Sequence, residues 1–266
     1  MARSAIPPHI LKQLERIEPG AQFSGSLPRL SSSSGKSYYA KGGSPREIEQ
    51  YLGEAESLKA MGSAAPGLVP SLLALGFVDE NGEETGSSEG SPFFISEYKD
   101  ITPLTERSGA TLGRRLATEM HRYTSAKGYG FEVPTFCGAT RLRNGWYKSW
   151  EQCFDTLIGD LLSTLTERGN YSKLCRKGQD VRTRRVLCTP RFLSLWELTP
   201  IRVIPALLGQ LQIRPVLLHG DLWVLHQTNA PDLGTDKKLE RKYWNRCDHR
   251  RARYLRPIIP LRAQRG

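Results

Sequence analysis

The sequence predicts an α+β protein built as two lobes, a small mixed β-sheet lobe followed by a helical lobe that looks incomplete, and three observations carry this. Apolar, strand-like runs at residues 37–41, 68–78 and 92–96 surround a single amphipathic helical pattern that starts near Ile48. From Leu112 onward the spacing becomes mainly helical. With 266 residues and 38% hydrophobic content, the chain is long and apolar enough to bury a core. The expected divisions are a sheet lobe over residues 1–100, a helical lobe over 101–226 and a basic tail over 227–266.

The elements follow in order. Ser31-Ser32-Ser33-Ser34-Gly35-Lys36 is a turn-forming run, and Ser37 to Lys41 after it reads as a strand. Gly35-Lys36-Ser37 is not a phosphate-cradling P-loop, because the glycine that motif needs five residues earlier is Leu30. The run is instead a polar hairpin tip, which in this kind of lobe could still lie near phosphates. Ser44, Pro45 and Glu47 suit the N-cap, first-turn and capping-box positions of a helix. Ile48, Tyr51, Leu52, Ala55 and Leu58 then share one helical face up to Met61-Gly62. Two strands flank the Gly/Glu/Ser-rich loop 79–91. Helical patterns cover Leu112 to His121, Trp150 to Leu165 and Leu207 to Leu211, and Val216-Leu217-Leu218 delivers the chain into His219. A mixed α/β lobe followed by a helical one is the layout of two-lobed, protein-kinase-like folds.

Four stretches carry candidate chemistry. Lys41 ends a strand and Glu54 sits thirteen residues later on the capped helix. Phosphoryl transfer needs a fixed cation on the nucleotide phosphates, and a helix-borne carboxylate can hold such a lysine. On these two residues alone, a surface lysine and a solvated glutamate are the commoner reading. Phe93-Phe94-Ile95-Ser96-Glu97-Tyr98 fits a hinge whose backbone pairs with an adenine edge, and equally an ordinary strand leaving a sheet. In His219-Gly220-Asp221, the aspartate can accept a hydroxyl proton while the histidine orders the turn. A three-residue match is common by chance, so its specificity comes from the order lysine, glutamate, hinge, helices, catalytic-type loop.

Together with Gly53-Glu54-Ala55-Glu56-Ser57-Leu58, Phe94 to Tyr98, Leu112 to His121, Tyr129-Gly130-Phe131, Asn144-Gly145-Trp146 with Trp150, and above all His219-Gly220-Asp221-Leu222-Trp223, the chain resembles the fructosamine or ketosamine kinases. The resemblance implies ATP-dependent phosphorylation of ketosamines at the sugar C3 hydroxyl. It makes Lys41 the phosphate ligand, Glu54 its partner, Glu97 and Tyr98 the hinge, Asp221 the general base and His219 its neighbour in the turn. It also implies ATP and magnesium, with glycated proteins or small ketosamines as partners. Trp146 and Trp150 fall either on the acceptor side or in a structural role, and His121 is read as packing. The departures concern the metal. Where the family carries a magnesium-binding asparagine, this chain has His226, and Asp232, Asp236 and Asp248 stand in polar surroundings unlike the family's second ligand, so no metal ligand is assigned. The change of character after Trp223 reads as a shifted frame, a retained intron or a truncated gene. A catalytically impaired nucleotide- or partner-binding remnant is therefore the alternative.

The net charge of +11 lies mostly in two segments, 168–191 with eight Lys/Arg against one acid and 227–266 with eleven against four. Neither has the stacking aromatics of a nucleic-acid reader, so nucleic acid is not an expected partner and both segments read as solvated. Five widely spaced cysteines without a Cys-x-x-Cys pair argue against a disulfide framework and a zinc site. No run approaches the roughly 18 apolar residues of a membrane span, and a cytoplasmic location follows by default.

Overall fold

A computed structural model describes residues 6–100, 105–169, 171–183, 185–187 and 200–220. Asp221, Leu222, Trp223, His226, the tail 227–266, the hinge exit 101–104 and residues 188–199 lie outside the described residues.

The first lobe opens with helix α1 (Pro8–Ile17), whose Pro8 occupies a first-turn position where a missing N–H costs nothing. Strands β1 (Phe23–Ser26), β2 (Arg29–Ser32) and β3 (Ser37–Gly42) follow, then helix α2 (Ile48–Ala64), β4 (Leu72–Val78) and β5 (Ser91–Glu97). The sheet order is β1-β2-β3-β5-β4. Every pairing in it is antiparallel, where the sequence suggested a mixed sheet, because successive hairpins join β1 to β2, β2 to β3 and β4 to β5. Side chains alternate between two covered faces. Tyr38, Ala40, Phe93 and Ile95 pack toward Ile10 and Leu14 of α1, while Tyr39 and Phe94 pack toward Tyr51, Ala55, Leu58 and Met61 of α2. Double coverage explains why β5 reads as an unbroken apolar run.

The expected helix start near Ser44 holds, with a 3-10 turn over Pro45–Glu47 as its entry. The Glu47 carboxylate accepts from the Ser44 backbone N–H at 2.8 Å and from its hydroxyl at 3.0 Å. Past that entry α2 is more than an amphipathic surface helix. Its Gly53 and Ser57 are also buried, Gly53 against the second lobe at residues 134–135. Ile48 and Leu52 are only half-buried.

The second lobe contains α3 (Glu106–Thr118), β6 (Tyr129–Phe131), β7 (Thr135–Cys137), β8 (Thr140–Leu142), β9 (Gly145–Tyr147), α4 (Trp150–Glu167), α5 (Ser172–Thr183), β10 (Arg185–Leu187), β11 (Pro200–Arg202) and α6 (Val203–Leu208). Thr105 caps α3 by accepting from the Ser108 N–H, and Ser149 caps α4 by accepting from the Gln152 N–H. Arg115 on α3 holds Glu119 through two bonds of 2.7 Å and donates to the Pro66 carbonyl, tying α3 to the end of α2. The pairs β6–β9 and β7–β8 interrupt the expected helical run, since three-residue strands are too short for a period to register.

Lys173, Arg176 and Lys177 of the basic segment are exposed, as expected, but residues 172–183 are a packed element. They form α5 and dock on α4, with Cys175 buried and Arg182 bridging Asp155 through two bonds of 2.8 Å. Their small residue, Gly178, faces Leu162, which allows the close approach. Cys137, Cys153 and Cys175 are free thiols, as the cysteine spacing implied, and burial pushes Cys153 up to about 11, so it stays protonated and inert. Among the described residues, no helix is long and apolar enough to cross a membrane.

Candidate active site

Strand β3 ends on the inner face of the sheet with Lys41, and α2 lies across that face. The Lys41 Nζ donates to Glu54 Oε2 at 2.6 Å. Both side chains are mostly shielded, 23% and 13% exposed, so the pair is neither the loose surface lysine nor the solvated glutamate of the plainer reading. The ammonium also lies 4.5 Å from the centroid of the Tyr51 ring and 5.2 Å from that of Phe94. A fixed cation at a strand end, steadied from a helix, is a device for binding phosphate.

The turn nearest this lysine is the one between β1 and β2. Arg29 pairs with Tyr39, and the Ala40 N–H donates to the Pro28 carbonyl at 2.9 Å, which sets the turn residues Leu27 and Pro28 beside the Lys41 end of β3. Inside β1, Gly25 adopts φ +111°, and a Cβ there would meet the Arg29 carbonyl at 2.8 Å. This is the hairpin sequence reasoning missed. The Phe23-Ser24-Gly25-Ser26-Leu27-Pro28-Arg29 stretch, with a glycine and a proline between two short alternating runs, was the available signal. The tip 31–36 lies at the far end of β3, away from Lys41. Its Lys36 sits 3.5 Å from Glu18, whose carboxyl is held down to about 2 by hydrogen bonds from Ser34 and Tyr38, then Ser32, and by the Lys36 charge.

At the other end of β5, Glu97 and Tyr98 leave the sheet. The Glu97 N–H donates to the Ser71 carbonyl at 2.9 Å and the Tyr98 N–H to the Ser37 carbonyl at 3.2 Å, so both amides are committed inside the lobe. The Glu97 carboxylate accepts from Lys99 at 2.5 Å and from the Ser71 N–H at 3.3 Å. Burial opposes its ionisation, but these donors outweigh burial and lower its pKa. The Arg29 guanidinium stacks 4.5 Å from the centroid of the Tyr98 ring.

The apolar segment leading to the catalytic-type loop is anchored rather than free. Val216 bridges Thr124, and the Leu217 N–H donates to the Tyr123 carbonyl at 3.0 Å. Leu217 shares one core cluster with Tyr39, Tyr51 and Phe94, the neighbours of Lys41. His219 is 3% exposed and Gly220 turns at φ +81° directly before Asp221. A cleft of about 1050 Å³, lined among others by Lys59, His121, Phe131, Trp146 and Leu218, opens on the flank of α2 turned away from Glu54. None of Lys41, Glu54 or Glu97 lines it. Trp150 is buried against Tyr129 and Phe154 and, like Trp146, borders the cleft. Trp146 stands on the cleft wall with its Nε1 donating to Glu132 at 3.2 Å. His121 is half-buried on a 3-10 turn at Met120–Arg122, and burial lowers its pKa.

Magnesium takes hard oxygen donors in octahedral array. His226 at the expected asparagine position supplies a softer nitrogen, and among the described residues no group of three or more His, Cys, Asp or Glu side chains could hold a metal ion. Among the described residues, then, no set of side chains fits the ion.

A sequence model of the fructosamine kinases matches residues 24–236. A Vibrio cholerae protein named probable ketoamine kinase is 26% identical over 200 residues, 73% of this chain and 58% of that protein. A rice (Oryza sativa subsp. indica) protein-ribulosamine 3-kinase, chloroplastic by name, is 31% identical over 175 residues, 65% of this chain and 42% of its own. The chain thus spans about half the length of these relatives. A crystal structure from Thermobifida fusca, named as a fructosamine-3-kinase, superposes with a TM-score of 0.56 at 17% identity over 82% of this chain and 68% of that one, which shows a common kinase-like α+β fold.

Proposed function

The chain belongs to the fructosamine kinase family, and we propose that it acts on ketosamines, moving the γ-phosphoryl group of ATP to the sugar C3 hydroxyl of the adduct that glycation leaves on an amine. The observation that carries this reading is the shielded Lys41–Glu54 pair at 2.6 Å on the inner face of an antiparallel sheet ordered β1-β2-β3-β5-β4. Lys41 holds the phosphates, and Glu54 aims it. Because the Glu97 and Tyr98 amides are committed, the adenine edge is read by the Glu97 carbonyl and by an amide beyond Tyr98. Asp221 accepts the hydroxyl proton as the oxygen–phosphorus bond forms and ADP leaves, with His219 ordering the turn. The phosphorylated adduct then breaks down and frees the amine. Glycated proteins and small ketosamines are the proposed partners, met in the cytoplasm. The test is phosphate transfer to a ribulosamine and to a fructosamine, abolished by Asp221→Asn; absence of transfer above background removes the reading.

His226 favours a second reading, a nucleotide-binding member with impaired turnover. Magnesium neutralises much of the charge that develops in phosphoryl transfer, so a chain without its ligands should bind nucleotide yet turn over slower by several orders of magnitude. Nucleotide binding lost on Lys41→Ala but indifferent to magnesium supports it.

A further inference from the structure

We propose that Tyr51 is a positioning residue whose ring, together with Phe94, seats the Lys41 ammonium; its effect on nucleotide rests on the reading of Lys41 as phosphate ligand. Tyr51 and Glu54 stand three residues apart on α2, so both side chains leave the same flank toward β3. Nζ of Lys41 therefore meets Glu54 Oε2 at 2.6 Å and two ring faces, Tyr51 at 4.5 Å and Phe94 at 5.2 Å. Lysine is a point charge on a flexible four-carbon stem, and a single carboxylate fixes only one direction of it. Ring faces remove the remaining swing, and their pull on a cation strengthens as water is excluded. They differ from Glu54 in one chemical respect. A carboxylate repels an arriving phosphate and competes with it for the ammonium, whereas a neutral ring can keep the lysine in place while the phosphate is bound.

The ring is itself held by backbone. A Cβ on Gly43 would lie 2.7 Å from Tyr51 Cε2 and 2.8 Å from Cζ, so the chain leaving β3 closes directly onto it. Gly43→Ala is thus a way to displace the ring without deleting it.

The experiment compares the full chain with Tyr51→Phe, Tyr51→Leu and Gly43→Ala. Acetylation of Lys41 by an N-hydroxysuccinimide ester, read by peptide mass spectrometry without nucleotide, is normalised to the exposed Lys148. Calorimetric Kd for ADP is measured in parallel. Tyr51→Leu and Gly43→Ala should raise the Lys41 rate about fivefold and weaken ADP by a similar factor, while Tyr51→Phe stays within about twofold. Wild-type rates in Tyr51→Leu, or Tyr51→Phe behaving like Tyr51→Leu, overturn the seat. Should Tyr51→Leu fail to fold, Gly43→Ala alone decides, and a wild-type rate there overturns it equally. If the wild-type chain binds no ADP while Lys41 acetylation still follows the ring, the phosphate reading falls and the seat stands.

Discussion

Lys41 receives its direction from residues far apart in sequence; on the pair alone the plainer reading prevailed, and Glu54 was legible as its partner only through the order of the motifs and the family resemblance. If that cation grips phosphate, Lys41→Ala should weaken ADP binding about ten- to a hundredfold, the worth of one hydrogen bond to a charged group. Titration calorimetry measures this, and an unchanged Kd takes Lys41 out of the site. Gly25 was not legible, since a glycine acquires meaning only from the positive φ and the 2.8 Å approach that the fold imposes. Neither was Glu18, an unremarkable surface acid in sequence. In the fold its carboxyl accepts from the Tyr38 hydroxyl at 2.5 Å and stands beside Lys36. Its pKa falls from 4.5 to about 2, first through hydrogen bonds from Ser34 and Tyr38, and Tyr38 in turn rises to about 12 through burial and that same bond. A depressed carboxyl stabilises the fold above its unfolded pKa, and that stability is lost as pH falls through the folded one. Melting temperature should therefore decline between about pH 4.5 and 2 more steeply in the wild-type chain than in Glu18→Gln, which keeps the neighbours but not the titration. Parallel declines would mean that Glu18 is not held as the structure shows.

Helix α2 is the element on which both lobes lean. The sheet takes Ala55, Leu58 and Met61, and residues 134–135 of the second lobe take Gly53. The sequence revealed the first face through its spacing and hid the second, because glycine carries no apolar signal. Two glycines of this helix separate propensity from packing. Gly→Ala inside a helix gains about 1 kcal/mol. At Gly53, however, a Cβ would meet the Pro134 carbonyl at 2.4 Å, and overpacking of that kind costs about 1–3 kcal/mol. At Gly62 nothing lies within 4 Å. Gly53→Ala should lower the melting temperature by several degrees, while Gly62→Ala leaves it unchanged or slightly raised. A stabilising Gly53→Ala would show that α2 and residues 134–135 do not meet. The same blindness to small residues hid α5, whose Lys and Arg residues read as solvated while Cys175 and Gly178 settle it on α4. The β7–β8 hairpin and the β6–β9 pair that encloses it escaped for another reason, since their connections depend on Gly138 at φ +65° and on Asn144 at φ +58° rather than on any hydrophobic period.

For the whole molecule, the residues proposed to bind nucleotide and those proposed to catalyse transfer fall on different parts of the sequence. Lys41, Glu54, the β1–β2 hairpin and the exit of β5 belong to one sheet lobe with covered faces, and that lobe was readable because alternation, capping and turn residues agree with one another there. The family's metal ligands would come from beyond Asp221, where His226 and a stretch carrying eleven Lys/Arg against four acids replace the expected pattern. Binding and metal dependence should therefore separate in a single measurement. A ligand at a hundred times its Kd stabilises the native state by about 2.7 kcal/mol. For a chain of this size that is a melting shift of roughly 5–10 °C. ATP should produce this shift in the wild-type chain and not in Lys41→Ala, and magnesium chloride or EDTA should leave it unchanged. A shift that appears only with magnesium would mean that the chain assembles a metal site from other donors, and the impaired-turnover reading would then give way to full ketosamine kinase activity.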